Sequence, residues 1–485
     1  MAPRNGIWRG TQAERGGPMR TCNHCGRVRI VRSLKPARVV AFIAALTVLL
    51  SACDWPMAGF DPARTSFNPF ESRVNVANIG SLRQAWRAPL SDVSGPPAVA
   101  DELAYVGSTG FPFAVQAFDA RGSAGCSGTP RICAARWSGV LDAGTQSLSV
   151  VNRTVYVGTF NNKVEAFDAN GVKGCSGRPP TCSPLWTASG IDASSIVVAG
   201  GFVYAADADN DRTLHAFDAA GVNGCSGIPR VCAPLWSAQG GRPSVANGIV
   251  YASRFVNDDT EVRAFDAKGR GCSGTPKVCT PLWVGREHCC RDIFVDVTAP
   301  TIAHGLVFVG IQHGDEVSNA GELIAFDANG VHGCSRTPKT CVPIWRAPTD
   351  GVYSPPAVAG DRLYVTDLFY YDDTILGGTT TEHRNTLRAF DIDACSTSRP
   401  QCAPLWTAPG VWIDAPAVAN GVVYARTKTF QFAAFDGAGN VNCSGLPRIC
   451  ASLPSSINTS EASTPVVTNG VVYVASGGLR AYDMP

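Results

Sequence analysis

The sequence predicts an all-β fold: an eight-bladed β-propeller of four-stranded antiparallel blades, closed by its N-terminal strand. Three observations carry this. An aromatic-Asp pair recurs eight times, as Phe118-Asp119, Phe167-Asp168, Phe217-Asp218, Phe265-Asp266, Phe326-Asp327, Phe390-Asp391, Phe435-Asp436 and Tyr482-Asp483. Successive Asp residues stand 49, 50, 48, 61, 64, 45 and 47 positions apart, and a period of roughly 40 to 50 residues with several short strands per unit marks a propeller. With 50 Gly and 33 Pro in 485 residues, the composition suits short strands and tight turns rather than helices.

Residues 1–52 read as a secretion signal with an internal start. The apolar run Val39 to Leu50 follows Arg32, Lys35 and Arg38 and is too short to span a membrane. It ends in Leu50-Ser51-Ala52-Cys53, similar to the lipobox of bacterial lipoproteins, in which small residues fit the peptidase and the new terminal Cys carries the lipid. Cys53 is thus the expected lipidation site, and the protein is expected in the cell envelope or periplasm, held to the membrane by its anchor. Cys22 and Cys25 lack the second pair that a zinc site of this type needs. Residues 1–52 hold nine Lys/Arg and one Glu, so 32 basic and 38 acidic residues remain without them, a net charge of −6. That excludes a basic nucleic-acid footprint.

Residues 53–80 form a Gly/Pro/Asn-rich entry segment, and residues 81–485 the propeller. The stretch Leu82 to Trp86 matches the last strand of later repeats, such as Leu235-Trp236. The eighth repeat stops at Pro485, short of a fourth strand. The spare N-terminal strand is expected to complete it and hide two sheet edges.

Within a repeat, a first strand (Pro416 to Ala419) turns at Asn420-Gly421 into a second (Val422 to Tyr424). Asn247-Gly248 and Asn469-Gly470 hold the same place, and Asn-Gly suits the positive φ angles of a two-residue hairpin. The third strand carries the aromatic-Asp pair and the fourth carries Trp137, Trp186, Trp236, Trp283, Trp345 or Trp406. A Tyr series, including Tyr105, Tyr156, Tyr204 and Tyr251, recurs once per repeat and is expected to pack between blades.

Seven Cys-x6-Cys pairs bracket the loop between third and fourth strands: Cys126/Cys133, Cys175/Cys182, Cys225/Cys232, Cys272/Cys279, Cys334/Cys341, Cys395/Cys402 and Cys443/Cys450. No His or carboxylate recurs inside these loops to complete a metal site. Local disulfides are expected, each stapling its own hairpin and contributing roughly 2.5 kcal/mol at most in the chain-entropy model, in an oxidising compartment. Cys289-Cys290 stands outside the series and is expected to form a vicinal disulfide.

The entry motifs Trp55-Pro56-Met57, Asp61-Pro62-Ala63-Arg64-Thr65 and Asn68-Pro69, with the Tyr/Ala-Phe-Asp/Trp repeats, resemble the pyrroloquinoline-quinone (PQQ)-type eight-bladed propellers. That family includes quinoprotein alcohol dehydrogenases and the lipoprotein propeller of the outer-membrane assembly machine. In quinoprotein methanol dehydrogenases an adjacent-Cys disulfide packs on the quinone, so the resemblance implies Cys289 and Cys290 as a quinone contact. The family's Asp-Tyr-Asp catalytic signature and a haem-attaching Cys-x2-Cys-His are absent from this sequence.

Chemistry is expected at the axial mouth, where blade connections and second-to-third-strand hairpins share one face. Aligned first-strand starts place Gly95, Gln146, Ser194, Gly241, Thr298, Ser354, Asp414 and Ser463 in a ring, with Asp414 its only carboxylate and the candidate proton acceptor. Insertions lengthen the fifth and sixth repeats around Asp315, Glu316, Asp372 and Asp373, oxygen donors of the kind calcium prefers. Arg291 and Arg384 are candidates to face a quinone carboxylate. Asp207, Asp209 and Asp211 resemble the start of a calcium loop, with Arg212 where such loops need Gly. The reading is a monomeric binding or scaffold module whose partner is an envelope protein or a small-molecule ligand. The alternative is a PQQ- and calcium-dependent oxidoreductase acting on an alcohol.

Overall fold

The computed structural model describes residues 54–485 apart from 91, 192, 207–212, 258, 289–293, 316–317, 373–379, 396–401, 412–413, 428, 430, 458 and 460–462. The chain is an all-β propeller whose strands form eight hydrogen-bonded sheets. The second repeat is representative: Thr145–Val151, Thr154–Thr159, Lys163–Asp168 and Trp186–Ser189 pair antiparallel in sequence order. Both residues of the turns Asn247-Gly248, Asn420-Gly421 and Asn469-Gly470 have φ between 46 and 79°, as an Asn-Gly hairpin turn requires. The described 1–2 turns and Cys loops therefore fall at one end of the disc, the turn end. The 2–3 hairpins and the blade-to-blade connections fall at the other, the hairpin end.

The repeated token has a physical reason. Phe167 stacks on Trp137 of the preceding blade, with ring centroids 6.5 Å apart. Asp168 then caps the following loop, accepting from the backbone N–H groups of Val172 and Lys173. Gly171, at φ 67°, lies against the same indole; a Cβ there would stand 2.5 Å from the Trp137 ring, so only Gly fits. The Ala169 carbonyl between them accepts both the Trp137 indole N–H (2.8 Å) and the Tyr105 hydroxyl (3.2 Å) of that preceding blade. Ala219 and Ala328 receive the same two donors, from Tyr156 with Trp186 and from Tyr251 with Trp283.

Two expectations, four strands per blade and eight complete blades, need correction, and a third, the disulfides, is met with a further role. Four-stranded blades become six-stranded in most repeats, because the Cys hairpin does not stay with its own repeat. It crosses to the preceding blade and adds two short strands beyond that blade's Trp strand, in parallel register such as Trp186↔Arg230. This covers the backbone edge that the Trp strand would otherwise expose.

The cysteines pair as expected, each bridge stapling its own loop, and they also join the neighbouring blade. All seven Cys-x6-Cys pairs are disulfides. The second member of each, Cys133, Cys182, Cys232, Cys279, Cys341, Cys402 or Cys450, is buried at 7% exposure or less. Each joins the apolar core of the blade before its own. Cys133 packs in the cluster of Trp86, Cys182 in that of Trp137 and Cys232 in that of Trp186. Cys279 does so with Trp236, Cys341 with Trp283, Cys402 with Trp345 and Cys450 with Trp406. The crossing of the hairpin is the cause, since it lays the second Cys over the neighbouring sheet, where a half-cystine behaves as a small apolar group.

The expected eight complete blades become seven. The sheet of Ala417–Ala419, Val422–Arg426 and Phe432–Asp436 has no Trp strand. Leu453-Pro454 stands where other repeats have Leu-Trp; the Leu453 N–H still reaches the Ala434 carbonyl, but Pro has no N–H to continue the ladder.

The N-terminal part enters the fold twice. Arg83–Ala88 pairs antiparallel with Leu479–Asp483, Trp86 standing opposite Ala481. Before that, residues 55–68 circle the axis and bind the inner strands nearly in order. Val99 and Trp55 exchange bonds, Val150 donates to Pro56 O, Val245 to Pro62 O, Ile302 to Ala63 O, Val358 to Thr65 O and Val418 to Ser66 O. The Asn68 side chain then reaches Val467 O (2.8 Å). The entry segment is therefore part of the propeller, and it lies across the axis at the turn end.

One core position breaks the apolar pattern. Glu165 is 5% exposed, its Oε2 has no partner among the described residues, and burial pushes its carboxyl up to about 7 against the weaker pull of Lys163. The native state then holds a proton that the unfolded chain releases above its ordinary value of 4.5, so stability falls as pH rises from about 4.5 to about 7 and levels off beyond. Glu165→Gln is expected to flatten this dependence and to be more stable than wild type at pH 8, by on the order of 2 kcal/mol; thermal melts at pH 5 and pH 8 check it. Trp86→Ala removes a fully buried side chain from the sheet shared by both chain ends and is expected to cost about 3–5 kcal/mol in denaturant unfolding. Wild-type stability in that variant would contradict the role given to this strand.

Candidate functional site

The hairpin end carries three lengthened hairpins: Ile249–Val256 with Asp259–Asp266, Leu306–Gly314 with Asn319–Asp327, and Arg362–Asp372 with Thr381–Asp391. The last two are joined. Asn319 accepts from the Tyr370 N–H (2.5 Å) and donates to Leu368 O (2.7 Å), and Ser318 bridges Tyr371.

Along these strands runs a belt of ion pairs. Glu261, 2% exposed, meets Arg254 at 3.0 Å and Arg263 and Arg286 at 2.8 Å. Burial alone would push its carboxyl up, but Arg263 and Arg254 outweigh this and hold it below the ordinary range. Arg346 joins two repeats through Glu287 (2.5 Å) and Glu322 (2.9 Å). Arg388 holds Asp367 (2.5 Å) and Asp350 (2.6 Å). Asp367 is fully buried, and here burial wins over Arg388, taking the carboxyl up to about 6.

The expected site residues fall into this frame as follows. Asp414 lies at the inner mouth, in an ion pair with Arg426, and its carbonyl accepts from Thr366 Oγ1 (2.9 Å), which also meets Ser354 Oγ (3.1 Å). Burial raises the Asp414 carboxyl and Arg426 opposes the rise. Arg384 sits far out on the sixth repeat's hairpin, bonded to Glu382 (2.8 Å) with its guanidinium 4.3 Å from the Phe369 ring centroid. Asp372 is on the same hairpin, 3.4 Å from both Tyr370 Oη and Thr381 Oγ1. Asp315 accepts from the Ser318 N–H in the neighbouring turn (2.8 Å).

The structure thus brings Asp315, Asp372 and Arg384 onto two linked hairpins and leaves Asp414 apart. Asp372 lies six residues beyond Thr366 on one strand, about 20 Å at the rise of an extended chain, far too distant to share an ion with Asp414. Among the described residues no three His, Cys, Asp or Glu side chains converge to hold a metal. Cys53, Cys289, Cys290, Arg291, Glu316, Asp373 and the loop Asp207 to Arg212 lie outside the described residues.

Two features escaped the sequence. Arg64, 8% exposed, is carried by the entry segment, its Nε bonded to Pro243 O (3.1 Å) and its Nη2 to Ser195 Oγ (2.6 Å). Burial, with Arg242 nearby, lowers its guanidinium to about 10. It ties the entry segment to the third and fourth repeats, and nothing in its sequence neighbourhood separates it from a solvated Arg. The second is a cleft of about 940 Å³ at the turn end, where the two chain termini meet, lined among others by Glu71, Arg73, Asp101, Arg121, Tyr473 and Asp483. Its wall comes from residues more than 400 positions apart, such as Glu71 and Asp483, which no local pattern joins.

No protein-family model matches the sequence, nor does that of any curated protein. Solved structures do match in fold. Quinohemoprotein alcohol dehydrogenase from Comamonas testosteroni is similar at 13% identity and a TM-score of 0.56, over 90% of this chain and 81% of that one. A europium-containing methanol dehydrogenase is similar at 15% identity and a TM-score of 0.52, over 89% and 91%. The computationally designed protein Ika8 is similar at 10% identity and a TM-score of 0.52, over 83% and 99%. At these identities the likeness is one of fold: enzymes and a designed protein share the propeller architecture with this chain.

Proposed function

We propose that the chain is a lipid-anchored extracytoplasmic propeller of the PQQ-like type that works as a binding or scaffold module in the cell envelope. Residues 1–52 are its signal, Cys53 its lipid attachment, 53–80 the entry segment, and 81–485 a ring of eight repeats closed by the pairing of Arg83–Ala88 with the last repeat. It acts as a monomer on an envelope protein or small molecule, and the seven disulfides fit the oxidising compartment this requires. The observation that carries the non-catalytic reading is the Asp414–Arg426 ion pair. Arg426 only partly offsets the rise that burial gives the Asp414 carboxyl, but it occupies that carboxylate in the folded chain, and the neighbouring belt carboxylates are likewise paired with Arg side chains.

The alternative, PQQ-dependent oxidation of an alcohol, is supported by the fold shared with two dehydrogenases. It would ask Cys289, Cys290, Arg291 and Arg384 to hold the quinone, Asp315, Glu316, Asp372 and Asp373 to hold calcium, and Asp414 to take the proton. The described members of that set do not fit one site, since Arg384 and Asp372 stand on the outer hairpin and Asp414 at the inner mouth.

An absorbance titration of the mature protein with PQQ and Ca²⁺ separates the readings. No saturable change is expected; a saturable one that Asp414→Asn abolishes would put the dehydrogenase in its place. Cys53→Ala is expected to move the protein from the membrane to the soluble extracytoplasmic fraction. Unchanged membrane attachment, with no acyl mass on the wild-type terminus, would remove the lipid anchor from the proposal.

A further inference from the structure

The seven Cys loops share a composition that their disulfides do not require. Each holds at least one Lys or Arg and none holds Asp or Glu, in a chain that is net acidic beyond residue 52. In Trp86↔Arg131, Trp186↔Arg230 and Trp406↔Arg448, the second strand of the hairpin starts level with the start of a Trp strand and runs parallel to it. Trp strands begin at the turn end, so the hairpin tips project from that end.

Two of the tips are apolar. Ile228 is 101% exposed and Leu446 97% exposed. The loops that lead into the hairpins add Val172, Val222 and Val331, each 59 to 71% exposed. The Ile228 hairpin docks on the second repeat's sheet and the Leu446 hairpin on the sixth's, four sheets apart among eight, and so on opposite sides of the disc. The partner that meets both, and the basic tips between, is a flat anionic surface.

We propose that the turn end is a membrane-docking face, its tips placing apolar side chains among anionic lipid headgroups while Arg178, Lys277 and their counterparts pair with the phosphates. The course of the chain agrees. The apolar run Val39 to Leu50 ends three residues before Cys53, and the fold begins at this end, where Trp55 pairs with Val99 beside the first 1–2 turn and Asp54 accepts from the Asp101 N–H. Exposed acidic groups here are Asp101, Glu102 and Asp361 in the 1–2 turns, where Glu102 is paired with Arg121 (2.8 Å), and Asp393 in the loop before Cys395, fewer than the Lys and Arg of the tips and their lead-in loops. A second copy is a poorer occupant, because two basic rings of tips would face each other.

The docking does not depend on the lipid anchor, so the chain from Asp54 onward, which contains every contact described above, is the protein to test. It is sedimented with vesicles of phosphatidylethanolamine and phosphatidylglycerol, and with phosphatidylcholine vesicles alone. Binding is expected to the anionic vesicles, to fall steeply as salt is raised, and to be weak on phosphatidylcholine. Ile228→Asp with Leu446→Asp, and separately Arg178→Glu with Lys277→Glu, are each expected to weaken it by about tenfold or more at unchanged melting temperature, since all four side chains are exposed. Absence of binding to anionic vesicles, wild-type binding by either double variant, or dimerisation through the tips in place of vesicle binding would overturn the proposal. Because Cys53 is absent from this chain, the outcome is independent of lipidation.

Discussion

At most of its joints the propeller rests on one backbone carbonyl that accepts two side-chain donors from the blade before it. Ala120, Ala169, Ala219 and Ala328 each take a Tyr hydroxyl and a Trp indole N–H. A carbonyl has two lone pairs, and here both point into an apolar seam where an unmade bond would be costly. At Ala120 the Tyr473 donor comes from the end of the chain and the Trp86 donor from its beginning. The joint between the last and first repeats thus obeys the same rule as the others. The third repeat keeps only half of it: Tyr204 reaches Ala267 O at 2.8 Å, while the Trp236 Nε1 is buried without an acceptor among the described residues.

Given this seam, the two ends of the disc are free to differ. At the turn end the entry segment covers the axis and the Cys hairpins cover the blade edges. At the hairpin end the fourth to sixth repeats are linked by Arg–carboxylate pairs that cross between blades, those of Arg346 and Arg388. Buried or half-buried ion pairs of this kind fix geometry more than they add stability.

Much of this was legible in the residues. The aromatic-Asp spacing gave the repeats, Asn-Gly gave the turns and Cys-x6-Cys gave the disulfides, because each is a local rule acting within about ten residues. What sequence could not supply was non-local. The crossing of the Cys hairpins, which buries Cys182 beside Trp137 of the preceding blade, is one case. The path of residues 55–68 around the axis and the pairing of Asp414 with Arg426 are others, and all depend on neighbours that only the folded chain selects. The missing strand of the seventh repeat was visible all along, as Pro454 in the place of a Trp, but the regularity of the other repeats masked it.

The path of the entry segment also dictates an order of assembly. Residues made first contact the inner strands of repeats made last: Asn68 binds Val467 and Glu71 binds the Gly470 N–H, each 399 positions away. Contacts of such separation form late, since most of the chain must be ordered before they can close. The disulfides, by contrast, join residues only seven apart and need nothing beyond their own loops. In an oxidising compartment, stapled hairpins can form from the N-terminal side as the chain arrives, while the contacts of Asn68 and Glu71 and the pairing of Arg83–Ala88 wait for the final twenty residues. A chain truncated by those twenty would therefore lose more than one blade's share of its stability, because the whole entry segment loses its last anchor points with them.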